Sequence, residues 1–303
     1  MFHAAARPPV ALRIGRPVRT LSAGNHHPLL CHMETDQGPA GLWVVKPAIV
    51  LSRSTDRGTF GVLAELAGAE VCAWAGILTP QVGITRFPKA FDEASLRAAI
   101  LTLGPSECDE ILETYRVNGG RVAFCGRYLG PATNLVPGHL LRPKWRATAA
   151  PDAVALLTAD AYMRHDDRVR DNPNALWFEN RLVAIDHGLA FAGPTRRGAL
   201  GDDLARRTAL HAPNFPRHIA FRAVRKLATE ADWDVVTGRL ESVPASSVTA
   251  LAASWPANLD EDDQCGQAQL RLRMARFLTE RRSHVRELVA VLRELLSRGQ
   301  SRK

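Results

Sequence analysis

Two aspartates and an asparagine frame the stretch with the clearest chemical content, RHDDRVRDNPNALWFENRLVAIDHGLAF from Arg164 to Phe191. Asn172 follows Asp167 by five residues, and Asp186 closes the stretch in Asp186-His187-Gly188. Phosphoryl transfer needs a carboxylate beside the accepting hydroxyl and oxygen ligands that hold Mg²⁺ against a triphosphate. An Asp, a nearby Asn and a second Asp supply that set if the chain folds back on itself. The apolar runs Ala175-Leu176-Trp177-Phe178 and Leu182-Val183-Ala184-Ile185, joined across Glu179-Asn180-Arg181, predict a hairpin that does this. Asp186 is then expected near Asn172 in space. Asp166 and Asn174 leave the register open, since each is a chemical equivalent one or two positions away. Taken singly, Asp, Asn and Pro are ordinary turn formers. Their order around a hairpin is what favours chemistry over a simple turn.

Elements upstream must position these groups. Val10 to Thr20 alternates apolar with basic residues, as a strand with one buried side does. Ser22 to His27 is turn-forming, Leu29 to Met33 reads as a second strand, and Asp36-Gln37-Gly38 as a turn. Gly41 to Lys46 is a buried strand that ends on a lysine, and Pro47 directly after it ends strand pairing on that side. A lysine on an apolar strand is hard to bury unless its ammonium meets an anion; otherwise it snorkels to water. Phe60 to Gly76 predicts a helix with Leu63, Leu66, Val71 and Trp74 at near-helical spacing, and it offers Glu65 and Glu70 as partners for Lys46.

In Asp167-Arg168 with Asn172-Pro173-Asn174, and in Ile185-Asp186-His187-Gly188, the chain resembles the HipA-like kinase family, over about residues 20–90 and 155–192. The resemblance implies a two-lobed α+β fold like that of protein and phosphoinositide kinases. In it a small antiparallel β lobe with one main helix spans 1–130, and a mostly helical large lobe spans 131–303. It implies that Asp167 orients the acceptor hydroxyl, that Asn172 and Asp186 bind Mg²⁺, and that Lys46 meets the ATP phosphates and Glu65, with Glu70 the alternate. The loop containing Gly24 and Asn25 would cover the phosphates, glycine letting backbone N–H groups approach. The reaction implied is transfer of the γ-phosphoryl group of Mg-ATP to a hydroxyl of a Ser/Thr protein, tRNA-charging machinery or a small molecule. Toxins of the family also pair with a DNA-binding antitoxin, and nothing in this chain tests such a partner. A kinase-like pseudoenzyme is the nearest rival.

The net charge of +8 is concentrated at one end. From Gln264 to Lys303 there are ten Lys and Arg against three Glu, directly after the acidic run Asp260 to Asp263. A nucleic-acid-binding role for this tail is the non-enzyme reading. A solvated helix face is the plainer one, and the tail leaves Lys46, Glu65, Asp167, Asn172 and Asp186 unexplained. No apolar run approaches the roughly 20 residues that span a bilayer, and the N-terminus has no apolar core behind a basic head, so the cytoplasm is expected and a membrane partner is not. Cys31, Cys72, Cys108, Cys125 and Cys265 show no C-x-x-C spacing and read as reduced thiols. Zinc at His26, His27, Cys31 and His32 lacks a second cluster to complete four ligands.

Elsewhere the pattern is less specific. Thr85 ends a further strand after Gly76, and residues 92–116 read as peripheral helical pieces broken at Gly104-Pro105. Arg121 to Leu129 reads as a strand entering a Pro/Gly linker, Gly130 to Lys144, where the lobes would hinge. Ala153 to Met163 predicts the helix leading into the Asp167 stretch. Gly193 to Asp203 is polar and Gly-rich and reads as flexible. Gln267 to Leu296 carries apolar residues at i, i+3, i+4 and i+7, as one long amphipathic helix with a basic outer face would.

Overall fold

The computed structural model describes residues 2–3, 5, 7–21, 28–48, 59–89, 92–101, 103–191, 215–259 and 269–298. The protein is mixed α/β, with a small β-rich region and a helical part. Gly24, Asn25, His26, His27, the 193–203 segment, the acidic run 260–263 and Cys265 lie outside the described residues.

The β-rich region is built from β1 (Val10–Thr20), β2 (Leu29–Thr35), β3 (Gly38–Lys46), β4 (Val82–Arg86) and β5 (Val122–Arg127), with α1 (Thr59–Ala75) entering between β3 and β4. The strands close a barrel in the order β1-β2-β3-β5-β4. Neighbours run antiparallel except β1 and β4, which pair in parallel at Val10 to Leu12, so the wholly antiparallel sheet expected is corrected. The reason is closure: a long β1 passes beyond its partner β2 and uses its N-terminal end to seal the free edge of β4.

The reading of residues 92–116 as peripheral is also corrected. They form α2 (Glu93–Ile100), capped by the Asp92 carboxylate on the N–H groups of Ala94 and Ser95, and α3 (Pro105–Val117). Leu96, Ile100, Ile111, Leu112 and Tyr115 are buried with Leu12, Met33 and Trp43 in one cluster, so these helices supply part of the barrel's own core. The β-rich region therefore carries three helices rather than one.

The expected linker is structured too. It contains β6 (Thr133–Asn134) and α4 (Pro137–Leu141), and buries Leu135 and Leu140. The long α5 (Arg146–Met163) follows, ending at Arg164 in the left-handed region. β6 pairs with the hairpin of β7 (Ala175–Phe178) and β8 (Arg181–Ala184) in a three-stranded antiparallel sheet. The hairpin turn is the two residues Glu179-Asn180, both at positive φ, as a type I′ turn requires.

The helical part continues with α6 (Phe221–Leu227), α7 (Glu230–Ser242), α8 (Ala245–Ser254), α9 (Leu270–Arg282) and α10 (Val285–Arg298). The single C-terminal helix expected is two, broken at Ser283-His284. Arg281 anchors the break: it is 1% exposed and donates to the carbonyls of Ala161 and Tyr162 at the C-terminal end of α5. Arg286 and Arg293 pair with Glu241 and Glu230, so several of the basic side chains of this region are engaged within the fold. No helix among the described residues is long and apolar enough to cross a membrane.

Truncation at Gln264 tests the role of this region. It removes the buried side chains of Leu270, Met274, Phe277, Leu278, Leu288 and Leu292. At about 1.5–3 kcal/mol each, their burial is comparable in sum with the ~5–15 kcal/mol that separates folded from unfolded domains. The truncated chain is expected to lose its cooperative thermal transition. A folded truncate that has lost a salt-dependent grip on RNA or DNA would restore the nucleic-acid reading.

α1 is the element that joins the two parts. Its sequence, TFGVLAELAGAEVCAWA, is apolar on every side, and Val62 through Cys72 are all buried, between β5 on one side and α5 and α7 on the other. The cluster containing α1 extends through α5 to α10 and also takes in Ile77 and, from β4, Val82. Phe2 bridges Pro80 beyond this helix, and His3 reaches back to it. The His3 backbone donates to Thr79 O at 2.9 Å, and its Nε2 meets Glu70 Oε1 at 2.5 Å.

Candidate active site

Lys46 is the last paired residue of β3, opposite Phe124 of β5. Strand alternation sends Val45 into the barrel core and Lys46 out of it, toward α1. Its Nζ lies 2.6 Å from Glu65 Oε1 and 2.9 Å from Asp186 Oδ1. Burial works against the ammonium, yet Asp186 and Glu65 outweigh it and hold the Lys46 pKa above the ordinary lysine value. Of the two glutamates open in the sequence, Glu65 faces Lys46, and Glu70 is turned to His3. Burial pushes the Glu65 carboxyl up and Lys46 pulls against it. The second Glu65 oxygen accepts the backbone N–H of His187 at 2.8 Å. One glutamate on α1 thus grips both the strand lysine and the segment beside Asp186.

That grip depends on Gly68. A Cβ at Gly68 would sit inside van der Waals contact of His187 Cβ and 2.6 Å from its Cγ. In an exposed helix, Gly→Ala is worth up to about 1 kcal/mol of added stability. Gly68→Ala is expected to have the opposite sign, costing about 1–3 kcal/mol as an overpacked core does. A shift of the urea midpoint to lower concentration checks it; a rise would mean that α1 and the His187 segment have room to part.

Asp186 emerges from β8 at φ 60, a left-handed conformation unusual for a residue other than glycine. Three contacts hold the hairpin end in place. Ala184 N–H donates to Leu78 O at 2.8 Å, Ile185 N–H to Asn174 O at 3.0 Å, and His165 Nε2 to Asp186 O at 3.0 Å. Burial and the Arg168 charge lower the His165 pKa to about 4, so the ring is neutral at ordinary pH, with its proton on Nε2.

Asp167 lies on the loop after α5. Its Oδ2 accepts from Asn172 Nδ2 at 2.8 Å and from Asn174 Nδ2 at 3.1 Å. Both asparagines left open by the sequence therefore converge on Asp167; Asn172 is exposed and Asn174 buried. Asp166 points outward and is exposed, which leaves Asp167 as the aspartate inside the arrangement. Burial raises the Asp167 pKa, as do the neighbouring charges of Asp186 and Asp166, while the Asn174 bond and Arg168 oppose them.

A cleft of about 300 Å³ runs alongside, lined by Lys46, Glu65 and Asp186 at one end. Val44, Phe124, Leu176 and Ile185 give it apolar walls, and residues Gly126 to Gly130 form part of its lining. Its volume and its few converging polar groups are those of a small-molecule site.

Beneath the cleft lies a charged cluster that the sequence reading missed. Arg168 is wholly buried. It donates from Nε to Asp160 Oδ2 at 2.6 Å, from Nη1 to the carbonyls of Asn174, Ile185 and Pro173, and from Nη2 toward His187 Nδ1 at 3.4 Å. Burial alone would raise the Asp160 pKa, but Arg168, with His218 and His165, takes it well below the usual carboxylate range. Arg168 ties the Asp167 loop to the Asp186 strand end. The available signal was Asp160, a lone carboxylate in the apolar run AVALLTADAYM, which burial would forbid without a cationic partner.

Asp186 and Asn172 offer hard oxygen ligands of the kind Mg²⁺ selects, and such ions are commonly held by one or two carboxylates plus phosphate and water. With both amide nitrogens on Asp167, the asparagine oxygens are turned away from it. In ligand type alone the pair suits Mg²⁺. No group of three or more His, Cys, Asp or Glu suited to a metal occurs among the described residues. Cys31, one of the residues weighed for zinc, is a buried free thiol whose pKa burial pushes up to about 12, unlike a thiolate ligand.

The chain matches no protein-family model and no curated protein sequence.

Proposed function

We propose that the protein is a HipA-like kinase, with lobes at 1–130 and 131–303, that binds Mg-ATP in the cleft and transfers its γ-phosphoryl group to a hydroxyl. The observation that carries this is Lys46 reaching Glu65 and Asp186 together, with Asp167 near enough to Asp186 to feel its charge. A strand lysine paired to a helix glutamate, an aspartate beyond a hairpin and an aspartate–asparagine loop are the parts by which protein kinases position a triphosphate. The apolar cleft walls suit a purine base, and Lys46 suits its phosphates. Asp186 and Asn172 would hold Mg²⁺, which neutralises charge developing on the phosphates.

In this reading Asp167 receives the proton of the attacking hydroxyl. The two asparagines occupy only its Oδ2, and they orient the carboxylate without neutralising it. Its raised pKa brings the base nearer to working pH, which strengthens proton acceptance. Lys46 keeps its charge to high pH and so serves as a fixed cation rather than a proton carrier. A Ser or Thr of a protein is the acceptor we favour, and small-molecule hydroxyls have the same chemistry.

The deciding experiment incubates the purified chain with γ-labelled ATP and Mg²⁺ and reads phosphate on the chain itself and on lysate components. Label on a Ser or Thr supports the reading. Nucleotide binding without transfer would make the chain a pseudoenzyme, and absence of both would overturn the proposal. The acid limb of the rate profile is a further check. A base works when ionised, so activity should fall as pH drops through the Asp167 pKa, above the ~3.9 of a free aspartate. An acid limb at or below that value would remove Asp167 as the base.

A further inference from the structure

We propose that His218 is a positioning residue for the Asp167 loop, acting through Asp160 and Arg168; the inference rests on the phosphoryl-transfer reading of that loop. His218 lies far beyond the motif residues in sequence, yet its side chain is 3% exposed and packed beneath them. The backbone N–H of Ala220 can only donate, so His218 Nδ1, 3.1 Å away, is the acceptor. The ring proton is then on Nε2, which lies 2.7 Å from Asp160 Oδ2. That same oxygen takes Arg168 Nε at 2.6 Å. Two donors on one carboxylate oxygen fix the plane of Asp160, and Asp160 fixes the guanidinium of Arg168.

The backbone around His218 braces the same arginine from the other side. Ile219 N–H donates to Arg168 O at 3.1 Å, and His218 bridges Val169 as an isolated strand pair. Arg168 is therefore held by main chain and side chain through one short segment. It passes the constraint on, because its Nη1 reaches the carbonyls of Pro173 and Asn174 on the Asp167 loop and of Ile185 before Asp186. Asp186 has independent supports in Lys46 and His165, while the Glu65 bond to His187 holds the residue after it. The Asp167 loop leans more heavily on Arg168.

Loss of the Nε2–H would leave Asp160 served by Arg168 alone on Oδ2, in a fully buried place where its Oδ1 already has no hydrogen-bond partner. The carboxylate is expected to turn toward another donor and carry Arg168 with it. A displacement of about 1 Å in a group that must meet the acceptor costs on the order of a hundredfold in rate. Nucleotide contacts from β3 and α1 are not built on this residue, so kcat should fall without a matching change in ATP affinity.

The test compares His218→Leu, His218→Asn and His218→Gln in the full chain. Glutamine carries an amide donor to about the depth of Nε2; asparagine stops at the depth of Nδ1, and leucine donates nothing. The readouts are kcat, ATP affinity by calorimetry, and amide hydrogen exchange across residues 167–174 and α1, the last of which needs no activity. Leucine and asparagine are expected to lower kcat by about ten- to a hundredfold with ATP affinity within about twofold. They should also speed exchange at Val169 and Asn172 while α1 stays protected, and glutamine should restore both. Should leucine prevent folding, asparagine against glutamine carries the same contrast with polar side chains throughout. Unchanged kcat and exchange in the asparagine variant would overturn the proposal. So would a loss of ATP affinity in step with kcat, or faster exchange throughout α1, since either marks a general brace. If the parent chain transfers no phosphate but asparagine still loosens residues 167–174 alone, the kinase reading falls and the positioning stands.

Discussion

Asp167→Asn is expected to lower phosphoryl transfer by about 10²–10⁴-fold, the usual worth of a positioned general base, and to leave Mg-ATP affinity nearly unchanged. The geometry makes this substitution clean. Asn172 and Asn174 both donate to Oδ2, so an amide whose oxygen takes that place keeps both bonds and the loop keeps its shape. What is lost is the second carboxylate oxygen and the charge, and with them the capacity to take a proton. Asp186→Asn is expected to behave differently. It removes the anion 2.9 Å from Lys46 and the one carboxylate among the proposed Mg²⁺ ligands, so transfer and the Mg²⁺ dependence of ATP binding should fall together. A thermal shift with and without Mg²⁺ separates the two, because a ligand of the folded state raises the midpoint, and raises it more the tighter it binds. The double substitution should match Asp186→Asn alone. An Asp186→Asn chain that binds Mg-ATP like its parent would remove Asp186 from the metal site. Transfer persisting in Asp167→Asn would pass the role to Asp166, which is exposed, or end the kinase reading.

Lys46→Ala carries the second large effect, and it acts on both stability and binding. The ammonium sits between Glu65 and Asp186, whose side chains are 4% and 30% exposed. Removing one partner from a buried pair typically costs about 3–5 kcal/mol, because the remaining charge is left uncompensated. Here two carboxylates remain, one of them at least partly wet, so the lower part of that range is expected. In the proposed reading Lys46 meets the phosphates, so ATP affinity should fall as well. A pH test distinguishes the cause of the stability loss. Without Lys46, the buried Glu65 carboxyl, already raised, rises further. A carboxyl whose folded pKa lies above its unfolded value contributes stability at low pH and loses it as pH climbs through the folded value. The deficit of Lys46→Ala against the parent should therefore narrow as pH falls. A deficit independent of pH, with nucleotide affinity unchanged in calorimetry, would make Lys46 an ordinary strand-end lysine.

Local order was legible from the chain alone because it rests on short-range rules. Alternation placed β1, apolar runs between turns placed β2 and β3, helical spacing placed α1, and two apolar runs about a turn placed the β7–β8 hairpin within a residue of its observed ends. The lysine closing β3 and the aspartate after β8 followed from those elements, since strand ends and hairpins fix where a side chain emerges. Pro47 marked the end of β3, having no N–H to extend the ladder beyond Lys46.

Where the reading fell short, the deciding contact was long-range. Residues 92–116 looked peripheral because nothing local tells that Ile111 and Tyr115 meet Met33 and Trp43 inside a barrel. The closing parallel pair of β1 with β4 is invisible in either strand's own pattern. The C-terminal periodicity runs on through Ser283-His284, yet the chain forms two helices there, with Arg281 at the end of the first docked on the α5 carbonyls. Residues chosen for their chemistry, Lys46, Glu65, Asp167, Asn172 and Asp186, were readable as types at spacings. The resemblance prefers Glu65 to Glu70 and Asp167 to Asp166, and the fold turns Glu70 to His3 and leaves Asp166 exposed. Asp160, Arg168 and His218 show the limit most plainly. A buried carboxylate, guanidinium and imidazole are each unfavourable alone and stable only together, and three such residues on separate elements reveal their partnership only when the chain has closed around them.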